Sequence, residues 1–420
     1  MKKLFLLLAL VGMVATACED DGVNEPTNTP TETPDDGNDE KPEDNTPEDK
    51  TQPIKFIDNT VKALCVVSWD TNGDAELSYE EAAAVTDIGT TFKSSAIISF
   101  TELAYFTGLS YIANEAFWGC VSLKKIELPH NITSIGEAAF FRCTSLTSFY
   151  GKFASEDNRC LIVDGKLIAF APAGLIEYTI PDSVTTIGES AFRGCSSLAS
   201  VTIPDSVTSI GDNTFYGCNS LTNVTIGNSV TTIGWSAFYG CTSLTSVTIP
   251  DSVTTIGRGA FAGCNKLTSF YGKFASEDNR CLIVDGKLIA FAPVGLTEYT
   301  IPDSVTSIED HAFAGCNSLT SVTIPDSITS IGGYAFGGCS SLTSVIIPDS
   351  VTSIGYSAFF RCYSLTSVYC KPTTPPAGGS SMFESIASEP KIYVPAASVE
   401  AYKSAAYWSD YKYYIIGHEF

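Results

Sequence analysis

A phrase of about 23 residues returns along most of this chain, and it constrains the fold more than any other feature of the sequence. Nine cysteines mark it, and the gaps between them are 23 residues except for two gaps of 52, which equal 23 plus 29. The nine are Cys120, Cys143, Cys195, Cys218, Cys241, Cys264, Cys316, Cys339 and Cys362. A fixed apolar lattice at a fixed period predicts one supersecondary unit stacked many times, which is a solenoid.

One coil of the repeat shows how its residues are used. Val201 and Ile203 point to one side of a short strand, and Pro204 ends that strand. Val207 and Ile210 then form a second inward row. Because no coil can bury its own apolar rows, its neighbours have to stack on it. We expect the strands to pair in parallel at a spacing of about 4.8 Å.

Two coils have 29 residues instead of 23. Each contains the segment Cys-Leu-Ile-Val-Asp-Gly-Lys-Leu-Ile-Ala-Phe, at 160–170 and at 281–291. Asp-Gly between two apolar runs is a strong hairpin signal. We predict that each long coil replaces its return segment with a projecting β-hairpin. The segments 148–182 and 269–303 are nearly identical, which indicates that a block of coils was duplicated.

The repeated phrase also carries a resemblance. Ser-Leu-Thr-Ser-Val-Thr-Ile-Pro-Asp-Ser-Val-Thr-Ser-Ile-Gly-x-x-Ala-Phe-x-Gly-Cys resembles the BspA-type leucine-rich repeat of bacterial surface proteins over about residues 98–420. The resemblance implies a leucine-rich-repeat solenoid, a repeat α/β fold of mostly short parallel strands with turns and short helical segments. It also implies a surface lipoprotein or secreted adhesin that binds host proteins. Partners vary within the family, so the resemblance implies no named ligand.

These patterns divide the chain into five predicted regions. They are a lipoprotein signal peptide (1–17), an acidic Pro/Thr-rich tether (18–53), a small head module (54–97), about eleven repeat coils (98–362) and a C-terminal cap (363–420).

The N-terminus has the features of a bacterial export signal. A basic start at Met1–Lys3 precedes the apolar run Leu4–Val14, which is too short to span a bilayer as a helix. The segment Ala15–Cys18 resembles the lipobox of bacterial lipoproteins, which implies acylation of Cys18 and an outer-membrane lipid anchor. An ordinary secretory signal with a stray cysteine is the alternative. Glu19–Asp21 resembles the surface-export signal of Bacteroides-like bacteria, although these acids also begin the tether.

The tether carries much of the negative charge of the chain. Residues 19–53 hold 13 acidic residues and 2 lysines, so 11 of the 23 net negative charges lie there. Like charges and prolines predict an extended segment. Because an acidic chain repels phosphate, we expect no nucleic-acid partner.

The head module contains a loop with the oxygen spacing of an EF-hand. Its positions 1, 3, 5, 7 and 12 are Asp70, Asn72, Asp74, Glu76 and Glu81. We predict one bound Ca²⁺, with Glu76 contributing its backbone carbonyl. Ala75 stands where the loop favours glycine, at a cost of about 1 kcal/mol. The alternative is an Asx-rich turn that caps a helix from Tyr79 to Val85, and the sequence shows no clear entering helix.

The exposed side of the repeat strands is the predicted binding face. Outward positions carry mainly serine and threonine, interrupted by tyrosines and glutamates, a surface that suits protein or glycan contact. Threonine also favours exposed strands without any binding role. The candidate residues are Tyr150, Glu177, Thr202, Thr225, Thr248, Tyr271, Glu298, Thr323 and Tyr369.

Two function classes remain open, and a third is disfavoured. The chain predicts a non-catalytic scaffold that recognises a host or microbial protein, or alternatively a glycan-binding accessory lipoprotein. It has only 3 histidines, and its Asp-Ser-Val triplets recur in the turns, where they serve turn chemistry or O-glycosylation rather than catalysis. The repeated cysteines belong to the apolar lattice, and no Cys-x-x-Cys pair suggests zinc.

Overall fold

The computed structural model describes residues 47–420. The proposed signal peptide, Cys18 and most of the tether lie outside the described residues. Within 47–420, no helix is both long enough and apolar enough to pass through a bilayer.

Each regular coil has two short strands and a turn segment, and like strands of neighbouring coils pair in parallel. The leucine-rich-repeat solenoid predicted from the period is therefore confirmed. Val201 of one coil pairs with Val224 of the next and with Tyr178 of the one before, while Ile210 of the second strand pairs with Ile233. These inward residues are buried, as the predicted apolar rows require.

The described residues include fourteen first strands, eleven of them starting between residues 98 and 362. They are Ser99–Phe100, Lys125–Leu128, Ser148–Gly151, Glu177–Thr179, Ser200–Thr202, Asn223–Thr225, Ser246–Ile249, Ser269–Gly272, Glu298–Thr300, Ser321–Thr323, Ser344–Ile347, Ser367–Cys370, Lys391–Pro395 and Ile415–His418. The second strands are Tyr111–Ile112, Ser134–Ile135, Thr186–Ile187, Ser209–Ile210, Thr232–Ile233, Thr255–Ile256, Ser307–Ile308, Ser330–Ile331, Ser353–Ile354 and Ala377–Gly378.

The turn segments form their own ladder along the solenoid. Between regular neighbours, the N–H groups of three alternate turn residues donate to carbonyl oxygens of the next turn. Asn213, Phe215 and Gly217 do so at 2.8, 2.7 and 2.8 Å. The repeat cysteine adds a fourth link, because the thiol of Cys241 donates to the carbonyl of Phe215 at 3.2 Å. The carbonyl of Phe215 also accepts from the N–H of Cys218 at 3.1 Å, so the buried thiol uses the second lone pair of that oxygen.

The two long coils contain antiparallel hairpins, Cys160–Val163 with Lys166–Phe170 and Cys281–Val284 with Lys287–Phe291. The predicted hairpins are confirmed, but the expectation that they project is wrong. Leu167 is fully buried and pairs in parallel with the next second strand.

Each hairpin is a wall between two hydrophobic cores, which explains why it does not project. Leu161 and Ala169 face the core of the preceding coils, whereas Leu167 and Phe170 face the core of the following coils. The second hairpin repeats this division, with Leu282 and Ala290 on one side and Leu288 and Phe291 on the other. Period-two alternation thus buries both faces of one hairpin.

The head packs directly on the first coils. It contains helix α1 (Asn59–Trp69) and helix α2 (Tyr79–Ala84), and a 3₁₀ helix follows at Thr101–Tyr105. Asp58 caps α1 by accepting from the N–H of Thr60 at 2.7 Å, and it also accepts from the N–H of Ile98 at the start of the solenoid. Burial opposes ionisation of Asp58, but these N–H donors outweigh it and lower its pKa.

The C-terminal residues extend the first-strand sheet. Lys391–Pro395 pairs with Ser367–Cys370 and with Ile415–His418. Between them lie 3₁₀ helices at Ala396–Ser398 and Ser409–Tyr411 and the helix α3 (Val399–Ser404). Tyr402 and Trp408 are fully buried and close the end of the core.

Candidate functional site

The predicted first-strand face forms two parallel columns. Thr202 and Thr225 are paired neighbours in one column, as are Thr248 and Tyr271. Tyr150, Thr323 and Tyr369 take the same outward position in their own strands, while Glu177 and Glu298 lie in the adjacent column beside serines. All nine side chains are half-buried or exposed. The structure places them on a common face, but the ladder along it is interrupted at each hairpin coil and between Asn223–Thr225 and Ser246–Ile249.

Aromatic side chains gather at the C-terminal end of this face. Tyr369 stacks on Tyr393 with ring centroids 4.8 Å apart, and His418 contacts both rings. Phe420 packs edge-on against His418 at 4.9 Å. Only Tyr369 of this cluster was among the predicted residues, because the other three follow the end of the repeat.

The calcium-like loop lies between two helices. α1 ends at Trp69, one residue before Asp70, so the view that no helix enters the loop is wrong. Ala75 adopts φ 64°, the left-handed conformation that this loop position requires. Its N–H donates to Oδ2 of Asp70 at 3.0 Å, and the N–H of Gly73 donates to Oδ1 at 2.7 Å.

The carboxylates of this loop do not converge on one point. Oε1 of Glu81 accepts from the N–H of Thr71 at 2.8 Å, and Oε2 accepts from the N–H of Ser78 at 2.9 Å. Burial opposes ionisation of Glu81, yet these donors outweigh it and lower its pKa to about 2. Glu76 forms an ion pair with Lys62 at 2.6 Å. Within residues 47–420, no three Asp, Glu, His or Cys side chains are grouped so as to hold a metal ion.

A continuous band of aromatic and basic side chains runs along the turn segments, and we call it the turn-edge band. Arg193 bridges two rings, lying 4.7 Å from the centroid of Phe141 and 4.6 Å from that of Tyr216. Tyr216 stacks on Tyr239 at 4.8 Å with an interplanar angle of 7°. Its members are Trp118, Phe141, Arg142, Arg193, Tyr216, Tyr239, His311, Tyr334, Tyr356, Phe360 and Arg361.

The band changes its position in the repeat halfway along. Up to Tyr239 its rings directly follow the buried phenylalanine, whereas His311 and Tyr334 come two residues before it. His311 contacts Tyr239 at 6.3 Å and stacks on Tyr334 at 5.2 Å, so contact is kept across the switch. Sequence reasoning missed this band because its members share no single register.

The turn ladder is broken beside each hairpin, and we call these places the first and second junctions. At the first junction, a cavity of about 270 Å³ separates turn 137–143 from turn 189–195, with residues of the first hairpin at its base. The N–H groups of Ala138, Phe140 and Arg142 donate no hydrogen bond within the described residues.

Both junctions are crossed by side chains, the first by Arg193 over the ring of Phe141 at 4.7 Å and the second by an ion pair. Arg258 pairs with Asp310 across the second junction at 3.0 Å. A Cβ added to Gly315 would lie 3.8 Å from Cα of Gly263, the same close approach as between Gly338 and Gly315 in regular coils. A Cβ at Gly194, the first-junction equivalent of Gly315, would meet nothing within 4 Å, and the same holds for Gly217 in a regular coil.

The repeat cysteines are buried and free, as predicted from their place in the apolar lattice of the repeat. Burial raises the pKa of Cys264 to about 12, and the same effect acts on Cys160 and Cys281 in the hairpins. These thiols therefore stay protonated at physiological pH.

Comparison with known proteins gives a family match. The model of the BspA type leucine rich repeat region matches six copies, over residues 86–155, 167–277 and 288–412. No curated protein sequence matches the chain.

Several solved structures are similar to this chain. A leucine rich cell surface protein from Faecalibacterium prausnitzii is 30% identical, with 66% of this chain and 83% of that chain covered and a TM-score of 0.49. A leucine-rich repeat protein from Bacteroides ovatus is 24% identical over 74% and 88%, with a TM-score of 0.38. The pneumococcal vaccine antigen PcpA is 19% identical over 71% and 80%, with a TM-score of 0.40.

Proposed function

Because the chain belongs to the BspA-type leucine-rich repeat family, we propose that it is a non-catalytic cell-surface binding and adhesion protein. Its partner is a host or microbial protein, held by the solenoid as a scaffold. Glycan recognition by an accessory lipoprotein is the second candidate.

The turn-edge band is the observation that carries this proposal. Tyrosine, tryptophan and arginine are the residues that dominate binding energy in protein interfaces. Here they line one edge of the solenoid as half-buried or exposed side chains held in place by their neighbours. A side chain already ordered by stacking loses little conformational freedom on binding.

The stacking geometry favours a protein over a glycan. Tyr216 and Tyr239 each cover one face of the other's ring, and Arg193 packs on the ring of Tyr216 as well. A sugar ring needs an open aromatic face, whereas a protein surface can use edges and hydroxyl groups. Trp235, with 63% of its surface exposed, is the feature that favours a glycan.

The test is to probe the purified full chain on matrix-protein and glycan arrays. We expect protein binding that weakens at least about tenfold when Tyr216→Ser and Tyr239→Ser are combined. The matched control combines Tyr150→Ser and Tyr271→Ser on the first-strand face and should bind as the wild type does. The reverse pattern would move the site to the first-strand face, and binding to glycans alone would replace the proposal with the second candidate.

We also propose that the head loop binds one Ca²⁺. The supporting observation is the left-handed backbone at Ala75, which already has the conformation of an EF-hand loop. Asp70, Asn72, Asp74 and Glu81 would contribute side-chain oxygens, and Glu76 its carbonyl. Glu81 has to exchange its N–H donors for the ion, so we expect weak binding.

Calorimetry on the full chain tests the calcium site. Asp70→Ala should abolish the heat of calcium binding. Glu80→Gln changes an acid of the same helix that has no ligand position, and it should leave that heat unchanged. Equal heats for Asp70→Ala and the wild type would remove the site.

A lipid on Cys18 would place the protein at the outer surface of the outer membrane, and we propose this location from the lipobox resemblance. Cys18→Ser should move the protein from the membrane fraction to the soluble fraction of the producing cell. Retention of Cys18→Ser in the membrane fraction would contradict the anchor.

A further inference from the structure

We propose that the cavity at the first junction binds a turn-forming peptide loop of the partner protein, which takes the place of a missing turn in the solenoid. This rests on the proposed binding function, and it names the part of the partner that the scaffold grips. The loop would carry small side chains, with glycine or asparagine at its left-handed positions.

The cavity exists because one turn of the ladder is absent. The cysteines that bracket it are 52 residues apart, so turn 137–143 and turn 189–195 belong to coils two steps apart. In the coil between them, the hairpin 160–170 replaces the turn segment. The opening therefore lies where that turn would stand, and the Arg193 guanidinium reaches across it to the ring of Phe141 at 4.7 Å.

Both walls of the cavity present unused backbone groups. Ala138, Phe140 and Arg142 supply three N–H donors, the same alternate positions that donate elsewhere in the array. On the opposite wall, the carbonyls of Glu189, Ala191 and Arg193 accept no hydrogen bond within the described residues. Three donors on one side and three acceptors on the other are the two edges that one inserted turn would satisfy.

The thiol ladder shows the same break. Cys218 donates to the carbonyl of Phe192 in the preceding coil, at 3.1 Å, but Cys195 has no such acceptor among the described residues. The break is thus a property of the whole turn and not of one side chain.

Charge and volume argue for a peptide backbone as the occupant. The lining carries both signs, with Glu137 and Glu189 against Lys166, Arg142 and Arg193, so its formal charge of +1 selects ions only weakly. A volume of about 270 Å³ holds the backbone of a few small residues.

The aromatic position of the missing turn is already filled, so the incoming loop needs no large side chain. Phe140 packs on Phe149 at 5.1 Å, and Phe170 packs on Phe192 at 4.5 Å.

The conformation of the regular turns defines the loop further. In the turn that contains Phe215, both Asn213 and Gly217 have positive φ, at 54° and 71°. Glycine and asparagine adopt this conformation most readily. A partner loop that copies the turn should therefore carry them at these two positions.

The test uses the acetylated and amidated peptide Asp-Asn-Ala-Ala-Ser-Gly, which copies turn 212–217 with small residues at its third, fourth and fifth positions. It is titrated into the full chain and followed by NMR or calorimetry. We expect saturable binding of one peptide per chain. Absence of saturable binding would overturn the proposal.

The second junction supplies the closing variant. Glu137→Arg with Arg142→Gly copies Arg258 and Gly263, and should let the first junction close against Glu189. We expect peptide affinity to fall at least about tenfold, with a melting curve no lower than that of the wild type. Unchanged affinity in a folded closing variant would overturn the proposal.

A second control acts on the peptide and needs no variant. N-methylation of its second, fourth and sixth residues removes the N–H groups that would pair with the carbonyl wall. Binding should again weaken at least about tenfold, and equal binding would contradict backbone pairing.

Failure of this proposal stays separate from failure of the proposed function. Binding to array proteins without binding to the peptide would reject only the peptide site in the cavity. Binding to the peptide without binding to any array protein would reject only the adhesive role.

Discussion

The two junctions are near-copies in sequence and differ in structure. The hairpins 160–170 and 281–291 are identical, and both divide the core in the same way. At the first junction the flanking turns carry Glu137 and Glu189, whereas the second has Arg258 and Asp310 at the equivalent positions. The first therefore has two like charges where the second has an ion pair at 3.0 Å.

Side-chain size adds to the difference in charge. Arg142 occupies the position of Gly263, and Phe141 occupies that of Ala262. The small residues of the second junction allow the close approach of Gly315 to Gly263, whereas the larger ones line the cavity of the first junction. The apolar lattice therefore sets the fold, whereas residues outside the lattice determine which junction of the turn ladder contains a cavity.

We expect the largest loss of stability from substitutions that test whether the two hairpins contribute equally to the core. Leu167→Ala and Leu288→Ala each remove a fully buried side chain from a hairpin wall. Each should lower the free energy of unfolding by about 2–5 kcal/mol, measured by urea denaturation. We expect the two losses to agree within about 1 kcal/mol, since the surroundings inside each hairpin are the same. A much smaller loss at one site would show that its hairpin is not a core wall.

A tyrosine that ties each hairpin to the next first strand gives a smaller effect. The hydroxyl of Tyr178 donates to Asp157 at 3.0 Å, and that of Tyr299 donates to Asp278 at 3.1 Å. Tyr→Phe at either position should cost about 1–2 kcal/mol in urea denaturation. The loss should be larger for Tyr178, because it is the more buried of the two. Equal or reversed losses would remove this distinction between the hairpins.

The ion pair between Arg258 and Asp310 should contribute less to the free energy of unfolding than either tyrosine hydroxyl. Arg258 is largely exposed, so Arg258→Ala should cost at most about 1 kcal/mol, and less at high salt. The matched variant Glu137→Ala removes one of two like charges and should be neutral or slightly stabilising. Thermal melts at two salt concentrations measure both. A loss for Glu137→Ala as large as that for Arg258→Ala would contradict the difference in charge.

The smallest effect is a dependence on pH at the second junction alone. Burial lowers the pKa of His311 below its ordinary value of about 6.5, against the opposing effect of Asp310. The unfolded chain then binds a proton at higher pH than the folded chain, so stability falls as the pH drops below about 7. His311→Ser copies Ser190 of the first junction and should reduce the loss between pH 7.5 and 5.5. Melting curves at these pH values check this, and an unchanged loss would contradict it.

The repeat array was predictable because its signals are periodic and local. The cysteine spacing gave the coils, and Asp164-Gly165 gave the first hairpin. The burial of both hairpin faces was not predicted, because a projecting hairpin and a wall between two cores have the same turn signal. Helix α1 was missed although Asp58 stands at its N-cap, since its apolar residues follow no clear helical period.

The candidate site was predictable only in part. Outward strand positions follow from alternation, so the exposure of the first-strand face could be predicted, whereas its binding role stays a prediction. The turn-edge band could not be predicted, because Tyr216 and His311 occupy different repeat positions and meet only through packing. The cavity depends on a missing turn, and sequence spacing does not reveal which of two such breaks stays open.

Amide hydrogen exchange tests most directly that the turn ladder stops at the first junction. The N–H groups of Ala138, Phe140 and Arg142 have no acceptor within the described residues, whereas those of Asn213 and Phe215 are paired. We predict exchange at least about a hundredfold faster for the first three than for the paired two. Equal protection at the two turns would mean that the ladder continues past the hairpin, and it would contradict the account.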